Sequence, residues 1–173
     1  MKVLITGFPG TGKSAIALEL KRRGHRAYDP DIMRGYEYTV DRHTGERIHP
    51  PQPIPAGWYD ITGLRMWDPV KMSRLLLTSD DVFICSFVHD LANYRHLFDH
   101  IFVLTLDDVV LERRLRGRLG NQIGKDPAEL RDIMKLHREF ERTMLAHGAT
   151  ALNAEHGIRE LVNTILEQVE SNS

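Results

Sequence analysis

Lys2-Val3-Leu4-Ile5-Thr6-Gly7-Phe8-Pro9-Gly10-Thr11-Gly12-Lys13-Ser14 is the stretch that decides the fold. An apolar run ends in closely spaced glycines, a lysine and a hydroxyl residue. Glycines at this spacing let successive backbone N–H groups turn inward around an anion, and a helix beginning near Lys13 aims its positive end at the same point. The pattern reads as a phosphate-binding loop for a nucleoside triphosphate. Gly7, Pro9, Gly10, Thr11, Gly12 and Ala15 shape the cradle, Lys13 reaches the outer phosphates, and Ser14 ligates magnesium. The context agrees: a buried strand precedes the loop, and an amphipathic helix carrying Ile16, Leu18 and Leu20 follows it.

Composition bounds the remainder. A chain of 173 residues buries a substantial core and is expected to form a single domain over 1–173. Its 23 basic and 24 acidic residues leave a net charge of −1, which argues against nucleic acid as the main partner. No apolar run is long enough to span a bilayer, and the first runs into the phosphate loop instead of a cleavage site, so a cytoplasmic location is expected. The single cysteine, Cys85, lies in an apolar run and reads as a core residue that can form no internal disulfide. The nine histidines show no metal-ligand spacing.

Strand and helix patterns alternate along the chain. The helix after the loop stops at Gly24, residues 26–29 read as a second short strand, 82–88 as an interior strand, 101–106 as a fourth and 149–153 as a fifth. Helices are expected from Asp68-Pro69, over 109–118, from Asp126-Pro127, and over 158–169; Leu130, Ile133, Met134, Met144 and Leu145 form the apolar face of the third. Residues 32–67, rich in proline and glycine, read as an irregular insertion outside the core, with a small hairpin around Asp41-Arg42-His43-Thr44-Gly45. The alternation predicts a three-layer α/β/α domain with a five-stranded parallel sheet, whose ligands gather at the carboxyl ends of the strands.

Asp29-Pro30-Asp31 stands at such an end. Two carboxylates two residues apart can divide labour, one holding magnesium and the other orienting or deprotonating an acceptor hydroxyl; as bare residue types they also suit a simple turn. Arg34 follows, placed to clamp a phosphate or carboxylate of an acceptor. Arg113-Arg114-Leu115-Arg116-Gly117-Arg118 opens a glycine-bearing stretch, with lid limits of about 113–127. A mobile arginine lid would stabilise transition-state charge through Arg114 or Arg118 and exclude water; the bland counterpart is a solvated basic helix end. His89, after the third strand, is a candidate acceptor contact. Trp58, Tyr59 and Trp67 either stack on a ring-bearing acceptor or anchor the insertion.

Taken together, GFPGTGKS at 7–14, DPDIMR at 29–34 and RRLRGR at 113–118 resemble small P-loop kinases of the nucleoside-monophosphate-kinase and shikimate-kinase group, over nearly the whole chain. The resemblance implies the P-loop NTPase fold, ATP and Mg2+ as cofactors, and Asn153 in the adenine pocket. It implies two different acceptor sides. A shikimate-kinase-like site assigns Asp29 to the metal and Asp31 to the acceptor hydroxyl, whereas an adenylate-kinase-like site employs Arg34 on an acceptor phosphate. The chain also departs from the pattern: Cys85-Ser86 offers no aspartate after the third strand, and the shikimate-kinase glycine triplet is missing. The expected function is transfer of the γ-phosphoryl group of ATP to a small acceptor. A polynucleotide 5′-kinase and a regulatory ATPase without an acceptor are the alternatives.

Overall fold

A computed structural model describes residues 1–55, 58–78, 81–87, 91–117 and 127–171. In chain order its elements are β1 (Lys2–Gly7), α1 (Lys13–Arg22), β2 (Ala27–Tyr28), β3 (Glu37–Asp41), β4 (Arg47–Ile48), α2 (Trp58–Ile61), β5 (Gly63–Trp67), α3 (Pro69–Leu77) and β6 (Val82–Cys85). There follow α4 (Leu91–Tyr94), β7 (His100–Thr105), α5 (Asp108–Arg116), α6 (Pro127–Ala146), β8 (Thr150–Asn153) and α7 (Ile158–Glu170).

Five of the strands form one parallel sheet in the order β2-β6-β1-β7-β8. Strand β1 lies in the middle, with Ile5 in register with Cys85 on one side and Phe102 on the other. The chain leaves β1 toward one edge and later returns to the opposite side of it, so the carboxyl end of β1 is the topological switch point where a ligand crevice opens.

Both faces of this sheet are covered, which is why its strands read as unbroken apolar runs. Val3 and Ile5 pack on one side with Ile16 and Leu20 of α1, Leu111 of α5, and Leu161 and Ile165 of α7. Leu4 points the opposite way, into a second cluster with Met72 and Leu76 of α3, Ile84, Val103 and Met144 of α6. Local signals set the helix ends. The Asp68 carboxylate accepts the Lys71 N–H at 3.0 Å with Pro69 at the first helical position, and Asp107 caps α5 by accepting the Val109 N–H at 2.8 Å.

The three-layer fold is as expected, with differences in detail. The second strand is confined to Ala27–Tyr28, and the strand from Val82 ends at Cys85; the Ser86 N–H still donates to the Ile5 carbonyl while its hydroxyl reaches Asp31. Leu18 and Leu145 face solvent instead of the core. The larger difference is the insertion, which holds an ordered three-stranded antiparallel sheet, β4-β3-β5. The hairpin of β3 and β4 is the expected one. Strand β5 has no apolar alternation of its own, because its residues are ordered by pairing with β3 and by the burial of Trp67 in the second core cluster.

Candidate active site

The phosphate loop is built from backbone first. Gly10 and Gly12 take φ of +108° and +109°, a region that side-chain-bearing residues rarely enter. Gly7 is required for a different reason: a Cβ there would sit 2.6 Å from Thr11 Oγ1 and 2.9 Å from Leu104 Cβ. Thr11 is fully buried and its hydroxyl donates to the Phe8 carbonyl at 2.9 Å, pinning the loop from inside. Ser14 and Ala15 are exposed at the first turn of α1, whose positive end favours an anion. The Lys13 ammonium lies over the loop, donating to Gly7 O at 2.8 Å and Phe8 O at 3.4 Å, and is 5.9 Å from the centre of the Phe87 ring.

Behind the loop stands a support that the sequence pattern does not announce. Phe8 packs edge-on against the ring of His137, centroids 5.6 Å apart. His137 is 1% exposed, with Nδ1 3.2 Å from Asp108 Oδ1 and Nε2 2.8 Å from Glu141 Oε1. Burial, the largest single influence on this imidazole, lowers its pKa, but the Glu141 and Asp108 carboxylates together carry it above the ordinary histidine value. Glu141 also accepts the Leu106 N–H at 2.9 Å. Helix α6 is thereby tied to the end of β7 and the start of α5.

Asp29 and Asp31, two residues apart in the motif, have different surroundings. Asp29 is 3% exposed, and neither carboxylate oxygen has a hydrogen-bond partner among the described residues. Burial pushes its pKa up; the nearby Ser14 hydroxyl opposes this, the Asp31 charge adds to it and the Lys13 charge opposes it. A buried carboxylate with no protein partner beside a helix-start hydroxyl is the donor set that a hard divalent cation takes, so Asp29 and Ser14 fit magnesium. Among the described residues, no group of three or more His, Cys, Asp and Glu side chains forms a metal cluster.

Asp31, in contrast, is held in a network. The Ser86 hydroxyl donates to its Oδ1 at 2.5 Å, and the Phe87 N–H donates to the same carboxylate at 3.2 Å. The Trp67 indole N–H in turn donates to Ser86 Oγ at 3.0 Å. The missing aspartate after β6 is thus matched by a serine that fixes an aspartate from another strand end. Arg65 reaches the same place: its guanidinium donates to the Asp31 carbonyl at 2.9 Å and pairs with the Glu37 carboxylate. Burial raises Glu37 to about 7 against the pull of Arg65, and the Asp31 charge pushes the same way.

Of the expected site residues, the loop residues, Asp29 and Asp31 converge at the carboxyl ends of β1, β2 and β6. Arg34 follows the turn made by Asp29 to Met33 and is exposed. Arg114 bridges the Thr11 and Ala154 carbonyls at 3.3 and 2.8 Å, joining the loop to the segment after β8. Asn153 is exposed and accepts the Glu155 N–H at 2.9 Å; it lines an open depression of about 320 Å³ with Thr105, Asp107 and Glu141. Arg118 and His89 lie outside the described residues. Trp67 is an anchor, 4% exposed, and Trp58 packs against Gly63. Glu37, Arg65, Ser86 and His137 were not singled out by sequence. Each is defined by partners distant in the chain, and only Ser86 stood at a strand end where a ligand was expected.

A family model described as AAA domain matches residues 3–137, well over half the chain. The chain belongs to this AAA-domain family. No curated protein matches the AAA-domain chain in sequence. Solved structures share its fold over almost the full length of both partners. Shikimate kinase from Bacteroides thetaiotaomicron aligns with a TM-score of 0.59 and 15% identity, covering 98% of each chain. Deoxyadenosine kinase from M. mycoides with bound dATP gives 0.54 and 15%, over 98% of this chain and 100% of that one. A gluconokinase from Sinorhizobium meliloti 1021 gives 0.54 and 16%, over 99% and 97%. The fold of this AAA-domain protein is that of the small P-loop kinases. Among the described residues, no helix is long and apolar enough to cross a membrane.

Proposed function

We propose that the protein is an ATP- and magnesium-dependent phosphotransferase that moves the γ-phosphoryl group to a hydroxyl of a small acceptor. The observation that carries this is the contrast at one strand end: Asp29, buried and unpartnered beside Ser14, and Asp31, held by Ser86 and Phe87 two residues further on. A protein that only bound nucleotide would need the first and have no use for the second. The fold neighbours support the reading, since they are named for kinases of three different small molecules.

In this scheme the loop amides and Lys13 hold the β- and γ-phosphates, Lys13 exchanging the Gly7 and Phe8 carbonyls for phosphate oxygens. Ser14 and Asp29 would hold magnesium, which when bound would neutralise charge on the triphosphate. Asp31 accepts the acceptor's hydroxyl proton as that oxygen bonds to the γ-phosphorus and the bond to ADP breaks. Arg114 and Arg118 bring the lid's charge, with Arg114 and Asn153 on the nucleotide side and Arg34 and His89 on the acceptor side. A cytoplasmic, single-domain enzyme with its lid at about 113–127 completes the proposal.

The test is acceptor-dependent ADP release over a panel of nucleosides, nucleoside monophosphates, sugars and hydroxy acids. A phosphorylated acceptor detected by mass supports the scheme. ATP hydrolysis that no acceptor stimulates indicates a switch or ATPase, and transfer to oligonucleotide 5′ ends indicates the polynucleotide alternative.

A further inference from the structure

Phe8 is the residue on which the rest of the phosphate loop leans. Its carbonyl collects three donors: the Thr11 N–H at 3.2 Å, the Thr11 hydroxyl at 2.9 Å and the Lys13 ammonium at 3.4 Å. Its ring is buried against Phe87, with centroids 5.7 Å apart, and against His137 and Phe140 of α6, at 5.6 and 6.3 Å. Phe140 also stacks on Phe87 at 4.8 Å. Helix α6 is therefore the floor that holds Phe8, and through Phe8 it bears on the shape of the cradle.

For packing alone, an aliphatic residue at position 137 would serve. An imidazole adds a desolvation cost that only polar partners offset. Among the described residues, charged groups face this ring from two helices: Asp108 at the start of α5, 3.2 Å from Nδ1, and Glu141 one turn along α6, 2.8 Å from Nε2. Arg138 pairs with Asp108 from the other side, and what the loop presents to the imidazole is the Phe8 ring. Burial raises the Asp108 pKa, but the bonds to Arg138 and His137 carry it below the ordinary aspartate value, so a full charge lies beside the ring. Both ring nitrogens are donors only in the imidazolium. With that proton in place, the two carboxylates, the guanidinium and the imidazolium balance. A neutral ring turns one lone pair toward a carboxylate oxygen and loses the orientation that supports Phe8.

Resting on the ATP-binding half of the function proposed above, we propose that His137 is a positioning residue for the phosphate loop: as an imidazolium held between Asp108 and Glu141, it fixes Phe8 and so keeps the loop in the shape that binds the triphosphate. ATP affinity then depends on a proton carried behind the loop, on a side chain that is only 1% exposed.

Calorimetric titration with magnesium and the β,γ-imido analogue of ATP tests this without an acceptor. His137→Phe keeps a ring under Phe8 and removes both nitrogens. Near pH 6 its affinity is expected to be weaker than that of the wild type by about fivefold to tenfold. As the pH rises toward about 10 and the wild-type imidazole loses its proton, that ratio is expected to fall toward one. Titration of the nucleotide, of Asp29 and of Lys13 acts on both proteins alike, so the ratio isolates position 137. Equal affinities at every pH, or a ratio that does not move with pH, would make His137 a packing residue and overturn the proposal. If His137→Phe does not fold, His137→Gln, which keeps a single donor group, is held to the same two criteria. Binding of the analogue by a wild type that turns over no acceptor removes the phosphotransferase reading alone, and the titration still decides the role of His137. A wild type that does not bind the analogue overturns both.

Discussion

The proposed donor and acceptor sides of the site are built in opposite ways. The donor side is eight consecutive residues, Gly7 to Ser14, whose function resides mainly in backbone N–H groups and whose shape is set by positive φ at Gly10 and Gly12. The acceptor side is assembled from side chains of Asp31, Glu37, Arg65, Trp67 and Ser86, brought together by the pairing of β3 with β5 and of β2 with β6. A backbone cradle tolerates few substitutions and binds one chemical group. A cradle of side chains on an insertion can be rebuilt for a new acceptor without disturbing the loop.

The comparison breaks most visibly at its two reactive side chains. Lys13→Ala removes the loop side chain proposed to reach the phosphates, and kcat is expected to fall by about a hundredfold to a thousandfold while the melting temperature is retained. Full ADP release by a folded Lys13→Ala protein would sink the donor assignment. Asp31→Asn keeps the size of the side chain but cannot take a proton, so kcat is expected to fall by about a hundredfold to ten-thousandfold with the KM for ATP unchanged. Loss of ATP binding instead would place Asp31 on the donor side.

Those two effects are the ones that sequence makes legible, and the reason is physical. Backbone geometry is encoded locally: glycines at fixed spacing, a strand before and a helix after suffice, so the loop and its three-layer setting can be read from neighbouring residues. Asp29 and Asp31 are visible as a pair because both sit at one strand end. Their division of labour is not, because it comes from what lies opposite, Ser14 for one and Ser86, 55 positions away, for the other. Glu37 looks in sequence like the polar side of a hairpin strand, and Trp67 like an aromatic free to stack on a ligand. Only the β3–β5 pairing turns the first inward and the indole N–H of the second onto Ser86.

A smaller effect probes that long-range wiring. Trp67→Phe keeps most of the apolar burial and removes the N–H that orients Ser86. The expected loss is about 1 kcal/mol, or roughly 2–4 °C in melting temperature for a chain of this size, with the acceptor KM raised and the KM for ATP unchanged. Equal changes in both KM values would mean that the two sides are mechanically coupled. Gly7→Ala is the donor-side counterpart. The added methyl collides with Thr11 and with Leu104 of β7, so stability is expected to drop by about 1–3 kcal/mol together with ATP affinity, read by thermal melting with and without nucleotide.

The mildest test uses protons. Glu37 is held at about 7 by burial, with Arg65 opposing, well above the ordinary glutamate value of 4.5. A carboxyl whose folded pKa is raised binds more protons in the folded state, so its contribution to stability is fully present below about 4.5 and is lost as the pH rises through about 7. Asp29 and His137 are also raised and act in the same direction, each across its own range. The slope in the wild type is therefore a sum. Glu37→Gln removes one contributor, and its melting temperature should fall less steeply than that of the wild type as the pH rises from about 5 to about 7. If the two slopes coincide, Glu37 ionises as an exposed carboxylate does. The insertion face would then be open to water, and the donor and acceptor sides would differ in assembly without differing in burial.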